Sequence, residues 1–233
     1  PTSILPKMRE LIIESLSKKY GDVRVLENLN LRYRSGTING IIGKNGAGKS
    51  TLFNCIARNT PYRGKIERKN IESIGMLSAN PYMFPRITGY EFIRFCLSAK
   101  NRRENRQKML QLNRLFELPL DKYAENYSTG MLKKLHLLAL FLQENDLLLL
   151  DEPFNGLDIQ SSAYLSEILK QMKHSDSLIL VSSHDISHLL RISGTLTTLE
   201  NGSAYFRTES LSDIEKEFQR EAEERVKSLF SIT

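Results

Sequence analysis

The segment Gly43-Lys44-Asn45-Gly46-Ala47-Gly48-Lys49-Ser50 constrains this chain more than any other stretch. Thr37–Ile42 before it reads as a short apolar strand, and Leu52–Ala57 after it continues as a helix. A strand, a glycine-rich loop and a helix in that order let consecutive backbone N–H groups turn inward around phosphates. The helix N-terminus near Lys49 adds the positive end of its dipole. In such a loop Lys49 reaches the β- and γ-phosphates, and Ser50 offers its hydroxyl oxygen to Mg²⁺. The plain alternative is a turn that binds nothing, and the flanking strand and helix speak against it. The nucleotide-binding candidates here are Gly43, Asn45, Gly46, Ala47, Gly48, Lys49, Ser50 and Thr51.

A second constraint lies a hundred residues on, where four leucines, Leu147–Leu150, run into Asp151 and Glu152. An apolar run of that length reads as a buried strand. Two adjacent carboxylates at its end repel unless a cation or a proton stands nearby. A Mg²⁺ held by Ser50 supplies that cation, with Asp151 as its second anchor. Glu152 is then free to orient and deprotonate an attacking water. Alone, Asp-Glu-Pro reads equally well as a strand-ending turn; the phosphate loop tips the reading toward function.

Elsewhere the pattern alternates strands with helices. Glu10–Lys18 and Arg24–Tyr33 alternate apolar and polar residues around a Gly21-Asp22 break. Leu178–Ser182 is a further apolar strand ending just before His184, and Tyr164, Leu165, Ile168, Leu169 and Met172 recur at helical spacing. This predicts an α/β sheet with its ligand at the carboxyl ends of the strands. From Gly89 to about Leu142 the signals are helical, Phe92–Leu97 and Lys133–Leu142 among them, so a helical subdomain interrupts the core. Thr195–Glu200, Asn201-Gly202 and Ser203–Arg207 read as a hairpin. Leu211, Ile214, Phe218, Ala222 and Val226 mark an amphipathic C-terminal helix. The expected division is one domain: core at 8–84 and 143–208, helical subdomain at 85–142, C-terminal helix at 209–233. Met8 is a candidate natural start, with residues 1–7 as a leader.

Composition excludes several classes. With 40% hydrophobic and 26% charged residues, the 233-residue chain is globular rather than disordered. Two cysteines, Cys55 and Cys96, support no disulfide framework and point to a reducing, cytoplasmic compartment. No apolar run approaches the roughly 18–20 residues needed to cross a bilayer. The net charge of +6 gathers in short runs such as Arg58–Lys69 and Lys100–Lys108, against a largely acidic tail from Glu209 to Glu224. The stretch KNRRENRQK holds no aromatic residue to stack on bases, so it reads as a solvated helix face and no nucleic-acid partner is expected.

Taken in order, the motifs resemble the ATP-binding-cassette family, specifically the nucleotide-binding subunits of ABC transporters, from about Leu11 to Arg207. The resemblance implies a phosphate-loop NTPase core of the cassette type, with an N-terminal antiparallel β-subdomain and an inserted α-helical subdomain. It implies that Tyr20, in SKKYGD, stacks on adenine. It makes Tyr127-Ser128-Thr129-Gly130-Met131 the family signature, with Ser128, Thr129, Gly130 and Met131 acting in trans on the γ-phosphate held by another subunit. Asn155-Gly156-Leu157-Asp158 is similar to the loop that crosses the dimer interface, with Asp158 its central carboxylate. His184, in SSHD, is similar to the switch histidine that contacts the γ-phosphate beside the catalytic Glu152. His136, His174 and His188 receive no role. Where the family carries a glutamine that contacts Mg²⁺ and the attacking water, this chain has Ala79, which implies slower or less tightly coupled hydrolysis. Thr129 and Met131 stand where glycine and glutamine are commoner.

The resemblance implies an ATPase that takes ATP as substrate with Mg²⁺ and forms a head-to-tail homodimer or a heterodimer with a second such subunit. It would power a separate integral-membrane permease, peripheral on the cytoplasmic face of the inner or plasma membrane. The short chain and the Ser-Thr-Gly-Met signature look like export, similar to cassettes serving ABC-2-type permeases. A soluble cassette working in translation or DNA repair is the first alternative. It fits less well, because the chain holds one cassette and no sustained heptads separate Lys49 from Ser128. A slow, largely regulatory nucleotide-binding subunit is the second; Ala79 favours it, while Glu152 and His184 oppose it.

Overall fold

Alternating apolar and polar residues build the first sheet of the computed structural model, which describes residues 8–173, 177–207 and 211–230. The possible leader at 1–7, His174 and the margins of the C-terminal segment lie outside the described residues. Strands β1 (Glu10–Tyr20) and β2 (Val23–Arg34) pair antiparallel across the Gly21-Asp22 turn, where Gly21 takes φ +56°. Leu11, Ile13, Leu16, Leu26, Leu29 and Leu31 point to one face and are buried. Next come β3 (Ile38–Ile42), α1 (Lys49–Ile56), β4 (Arg63–Lys69) and β5 (Ile74–Leu77). β4 returns to pair with the free edge of β1, giving the order β2-β1-β4.

The helical insert follows: α2 (Gly89–Ser98), α3 (Arg106–Phe116) and α4 (Thr129–Gln143). Each has its N-terminal N–H groups capped. Thr88 and Glu91 form a reciprocal capping box on α2, Asn105 accepts from Lys108, and Ser128 accepts from Met131. Then come β6 (Leu147–Asp151), α5 (Ile159–Met172), β7 (Leu178–Ser183), α6 (Ile186–Ile192), β8 (Thr195–Glu200), β9 (Ser203–Arg207) and α7 (Leu211–Phe230). The second sheet runs β5-β6-β7-β3-β8-β9, parallel except for the β8–β9 hairpin.

Every residue of β3, β6 and β7 is buried because both faces of this sheet are covered. The two-residue period of a strand splits the leucine run between two cores. Leu147 and Leu149 face α1 and the antiparallel sheet, with Leu52, Phe53 and Leu11. Leu148 and Leu150 face the helical side, with Leu135 and Leu138 of α4 and Leu165 of α5. Each fully buried leucine contributes about 1.5–3 kcal/mol of transfer free energy. The four leucines that made the strand legible therefore hold its two covering layers.

The lower ends of the strands, away from the phosphate loop, meet at Asp146. Its Oδ1 pairs with Arg9 at 2.5 Å. Its Oδ2 accepts from the N–H groups of Glu72 and Ser73, both at 2.9 Å, and from the Ser73 hydroxyl. Its carbonyl accepts from Leu178 N–H at 2.8 Å, and Leu147 N–H donates to Ser73 O at 3.0 Å.

Two strands carry no strand pattern that the sequence makes legible. β4 falls inside the cationic run Arg58–Lys69, and Ile66 is its one buried residue. β5 has only four residues at the sheet's edge.

Candidate functional site

The chain leaves β3 at Ile42, turns through Gly43–Gly48 and enters α1 at Lys49. Gly46 and Gly48 take φ +84° and +105°, a region costly for side chains with a Cβ. At Gly48 a Cβ would also stand 2.8 Å from Leu26 Cδ2, so the loop packs directly on the antiparallel sheet. Gly43 lies deeper, where a Cβ would meet Leu199 O at 2.5 Å. Ala47 N–H donates to Lys44 O at 3.1 Å and closes the turn.

Lys49, almost wholly buried, donates to Gly43 O at 2.6 Å and Lys44 O at 3.2 Å. Its Nζ also lies 3.1 Å from Glu152 Oε1. Glu152 follows the buried end of β6 and takes φ +48°, which turns its side chain back toward the loop. Its other oxygen, Oε2, is 3.0 Å from His184 Nδ1. Lys49, Glu152 and His184 thus converge from α1, the end of β6 and the end of β7. Beneath them Ser182 ties the acidic pair together. Its Oγ donates to Asp151 Oδ1 at 2.6 Å, and its Oγ and carbonyl both accept from Glu152 N–H at 3.2 Å.

This cluster opens into a cavity of about 620 Å³, a size suited to a small organic ligand. Asn45, Gly46, Gly48, Lys49, Ser50 and Thr51 line one side; Ala79, Asn80 and Pro81 follow β5; Thr129 and Lys133 come from α4, and Glu152, Asn155 and Gly156 from beyond β6. The donors that could hold a divalent cation are the Ser50 hydroxyl and the Asp151 carboxylate, which is 1% exposed. Both are hard oxygen donors, and Mg²⁺ takes one or two protein ligands of that kind together with substrate phosphates. Among the described residues no cluster of three or more His, Cys, Asp or Glu offers an all-protein cage instead. The residues present therefore fit a metal that arrives with a polyphosphate.

Other candidates from the sequence are placed differently. Tyr20 stands at the end of β1, half exposed and outside the cavity wall, with the Lys18 ammonium 4.4 Å from its ring centroid. Val25 of β2 faces the cavity instead. Of the signature segment, Thr129 reaches the cavity, Ser128 caps α4, and Met131 packs on the helical core. Gly130 lies against the next loop, where a Cβ would meet Gly156 O at 2.5 Å. Asp158 caps α5 through Ser161 and pairs with Lys134 at 2.7 Å. The Lys134 ammonium, with the N–H and hydroxyl of Ser161, holds its carboxyl well below the usual range.

The sequence reading passed over Ser182 and Lys133. Lys133 is 4% exposed, yet its Nζ donates to Glu152 O at 2.9 Å and Asn155 O at 2.8 Å. Burial pushes its pKa down, and the Glu152 and Asp151 carboxylates push it back up. A lysine on the apolar face of LKKLHLLALFL was the signal that could have found it.

A parallel sheet whose strands end at a phosphate loop, with an acidic pair at the neighbouring strand end, defines a nucleotide-binding ATPase core. The model of the ABC transporter family matches residues 26–155. A probable sulfate/thiosulfate import ATP-binding protein from Chlorella vulgaris is 30% identical over 82% of this chain and 88% of its own length. The bacitracin transport ATP-binding protein of Enterococcus faecalis is 29% identical over 81% of this chain and 66% of its own length. A solved ATP-binding subunit of an ABC transporter superposes with a TM-score of 0.80 at 28% identity, covering 90% of this chain and 93% of that one. The chain belongs to the ABC transporter family, and it is an ATP-binding cassette ATPase.

Proposed function

We propose that this cassette hydrolyses ATP to drive a separate membrane permease in export, working as a dimer on the cytoplasmic face of the membrane. The observation that carries the reading is Glu152, held between Lys49 and His184 at the edge of the loop cavity. In this role the loop N–H groups and Lys49 cradle the phosphates, and Ser50 and Asp151 hold Mg²⁺. That ion, when bound, would neutralise charge developing on the phosphates. Glu152 takes the proton of the attacking water, and His184 keeps the carboxylate aimed. Tyr20, half exposed at the strand end with the Lys18 ammonium over its ring, is the candidate for stacking on adenine.

The dimer reading rests on the signature. Ser128 and Gly130 sit at the N-terminus of a 15-residue helix, where N–H groups and the dipole favour a phosphate. Asn155–Asp158 beside it suits a crossing between subunits. A second copy of this chain or a related cassette would supply the facing half. For the permease contact, Tyr82, Phe84 and Phe95 form an exposed edge-to-face row with centroids 5.5 and 6.0 Å apart. No helix among the described residues is long and apolar enough to cross a membrane, which suits a subunit that borrows its membrane part. The Ser-Thr-Gly-Met signature and the likeness to a bacitracin transport protein favour export.

Light scattering on Glu152→Gln with and without MgATP tests the reading. A doubling of mass with MgATP is expected, because removing the base traps the closed pair. A chain that binds ATP yet remains a monomer, alone and with any paired cassette, overturns the dimer.

A further inference from the structure

We propose that Lys133 is a positioning residue that, with Lys134, fastens the loop beginning at Glu152 to the first turns of α4, so that Glu152 moves with that helix. The proposal rests on the reading of Glu152 as the base. Its ground is a row of contacts between one face of α4 and one short loop. Gly130 lies against Gly156 with no room for a Cβ. Lys133 Nζ bonds the carbonyls of Glu152 and Asn155. Lys134 Nζ bonds the Asp158 carboxylate at the loop's far end. Together these grip the segment from the catalytic candidate to the first turn of α5.

The choice of residue carries the inference further. A buried ammonium costs several kcal/mol in desolvation unless its hydrogen bonds and charge are matched. A leucine or methionine would fill the same helix face at lower cost to stability. What lysine adds is a charge-assisted grip on two specific carbonyls. One of them belongs to a residue held at φ +48°, a conformation that non-glycine residues keep only when their surroundings over-determine it. The Glu152 carbonyl also accepts from Asn155 N–H at 3.3 Å, so Lys133 bonds across the turn that aims the carboxylate. Thr129, one turn before Lys133 on the same helix face, lines the cavity. A shift of α4 that moves Thr129 relative to a nucleotide therefore moves the Glu152 backbone with it.

The test compares Lys133→Met and Lys133→Arg with the wild-type chain, by steady-state ATPase rate, titration with a fluorescent ATP analogue and amide hydrogen exchange. Losing two charge-assisted bonds predicts a kcat about tenfold to a hundredfold lower in Lys133→Met. Nucleotide Kd and KM stay within twofold, and Lys133→Arg restores most of the rate. The Asn155 and Leu157 amides, bonded within the loop, exchange at least tenfold faster in Lys133→Met while the centre of α4 is unchanged. Unchanged exchange in the loop overturns the proposal whatever the activity. So does a fall of kcat and affinity together without rescue by arginine, which marks a packing role. A wild-type chain that hydrolyses nothing overturns the reading of Glu152, while the exchange data still decide whether the grip exists. If Lys133→Met does not fold, Lys133→Gln reads the same amides: faster exchange supports the grip, and unchanged exchange overturns it.

Discussion

Ser182→Ala isolates the one hydroxyl that orders the acidic pair. Ser182 is fully buried, so water does not replace what is lost. The substitution removes a 2.6 Å bond to the Asp151 carboxylate and one of two acceptors for Glu152 N–H. The N–H keeps the Ser182 carbonyl, so the main loss is the bond to the carboxylate. Bonds to charged groups contribute about 1.5–3 kcal/mol, and one missing oxygen leaves almost no cavity, so the expected loss is about 2 kcal/mol. In a chain of this size that lowers Tm by roughly 4–8 °C. Ser183→Ala is the control. Its Oγ accepts a neutral bond from Asp185 N–H at 3.0 Å, worth about 1 kcal/mol. Thermal and urea unfolding of the two variants give the comparison directly. A loosened Asp151 also weakens ATP binding with Mg²⁺ present but leaves binding in excess chelator unchanged. A Ser182→Ala drop no larger than that of Ser183→Ala refutes the reasoning, as does an equal loss of affinity with and without Mg²⁺.

Two further outcomes follow from other parts of the molecule. His136 packs on Phe92 at 4.6 Å, and burial pushes its pKa down from 6.5 to about 4. Below pH 6.5 the unfolded chain therefore binds a proton that the folded chain refuses, and stability falls as pH drops toward 4. His136→Phe removes that slope and gains on the order of 2 kcal/mol relative to wild type at pH 4.5; parallel Tm curves from pH 7 to 4.5 would count against it. Ala79→Gln puts an amide on the cavity wall and is expected to raise ATPase activity several-fold; an unchanged rate, with and without the permease, sinks the expectation that Ala79 slows hydrolysis.

What the sequence disclosed followed the strength of its local signals. The phosphate loop was legible because glycine, lysine and serine there answer to backbone geometry and charge, not to the rest of the fold. β6 was legible because burial on both faces demands an unbroken apolar run. β4 was hidden because a single buried isoleucine gives no alternation, and its lysines and arginines are as much at home on any solvated surface. The sheet order could not be read, since it depends on contacts between segments far apart in the chain. In the sequence Ser182 is only a strand end, and the parallel pairing of β6 with β7 is what brings it beside Asp151. Lys133 falls in a helical pattern whose register is right but whose buried face holds a cation. Tyr20 rests on resemblance alone, and it stands outside the cavity wall that Val25 lines.

The knot at Asp146 acts as a rivet between the two sheets. Arg9, Glu72, Ser73 and Leu178 meet that one residue, so the antiparallel sheet and strands β5, β6 and β7 are riveted at their lower ends. The upper ends of β6 and β7 are fastened separately, with Ser182 bonding both Asp151 and Glu152, and Glu152 meeting Lys49 and His184. β6 and β7 stay paired from Leu147 and Leu178 to Asp151 and Ser182, so the rivet closes the lower end of a ladder that is continuous up to the acidic pair. The amides of Leu147 and Leu178 should accordingly be among the last to exchange, released only when the whole chain unfolds.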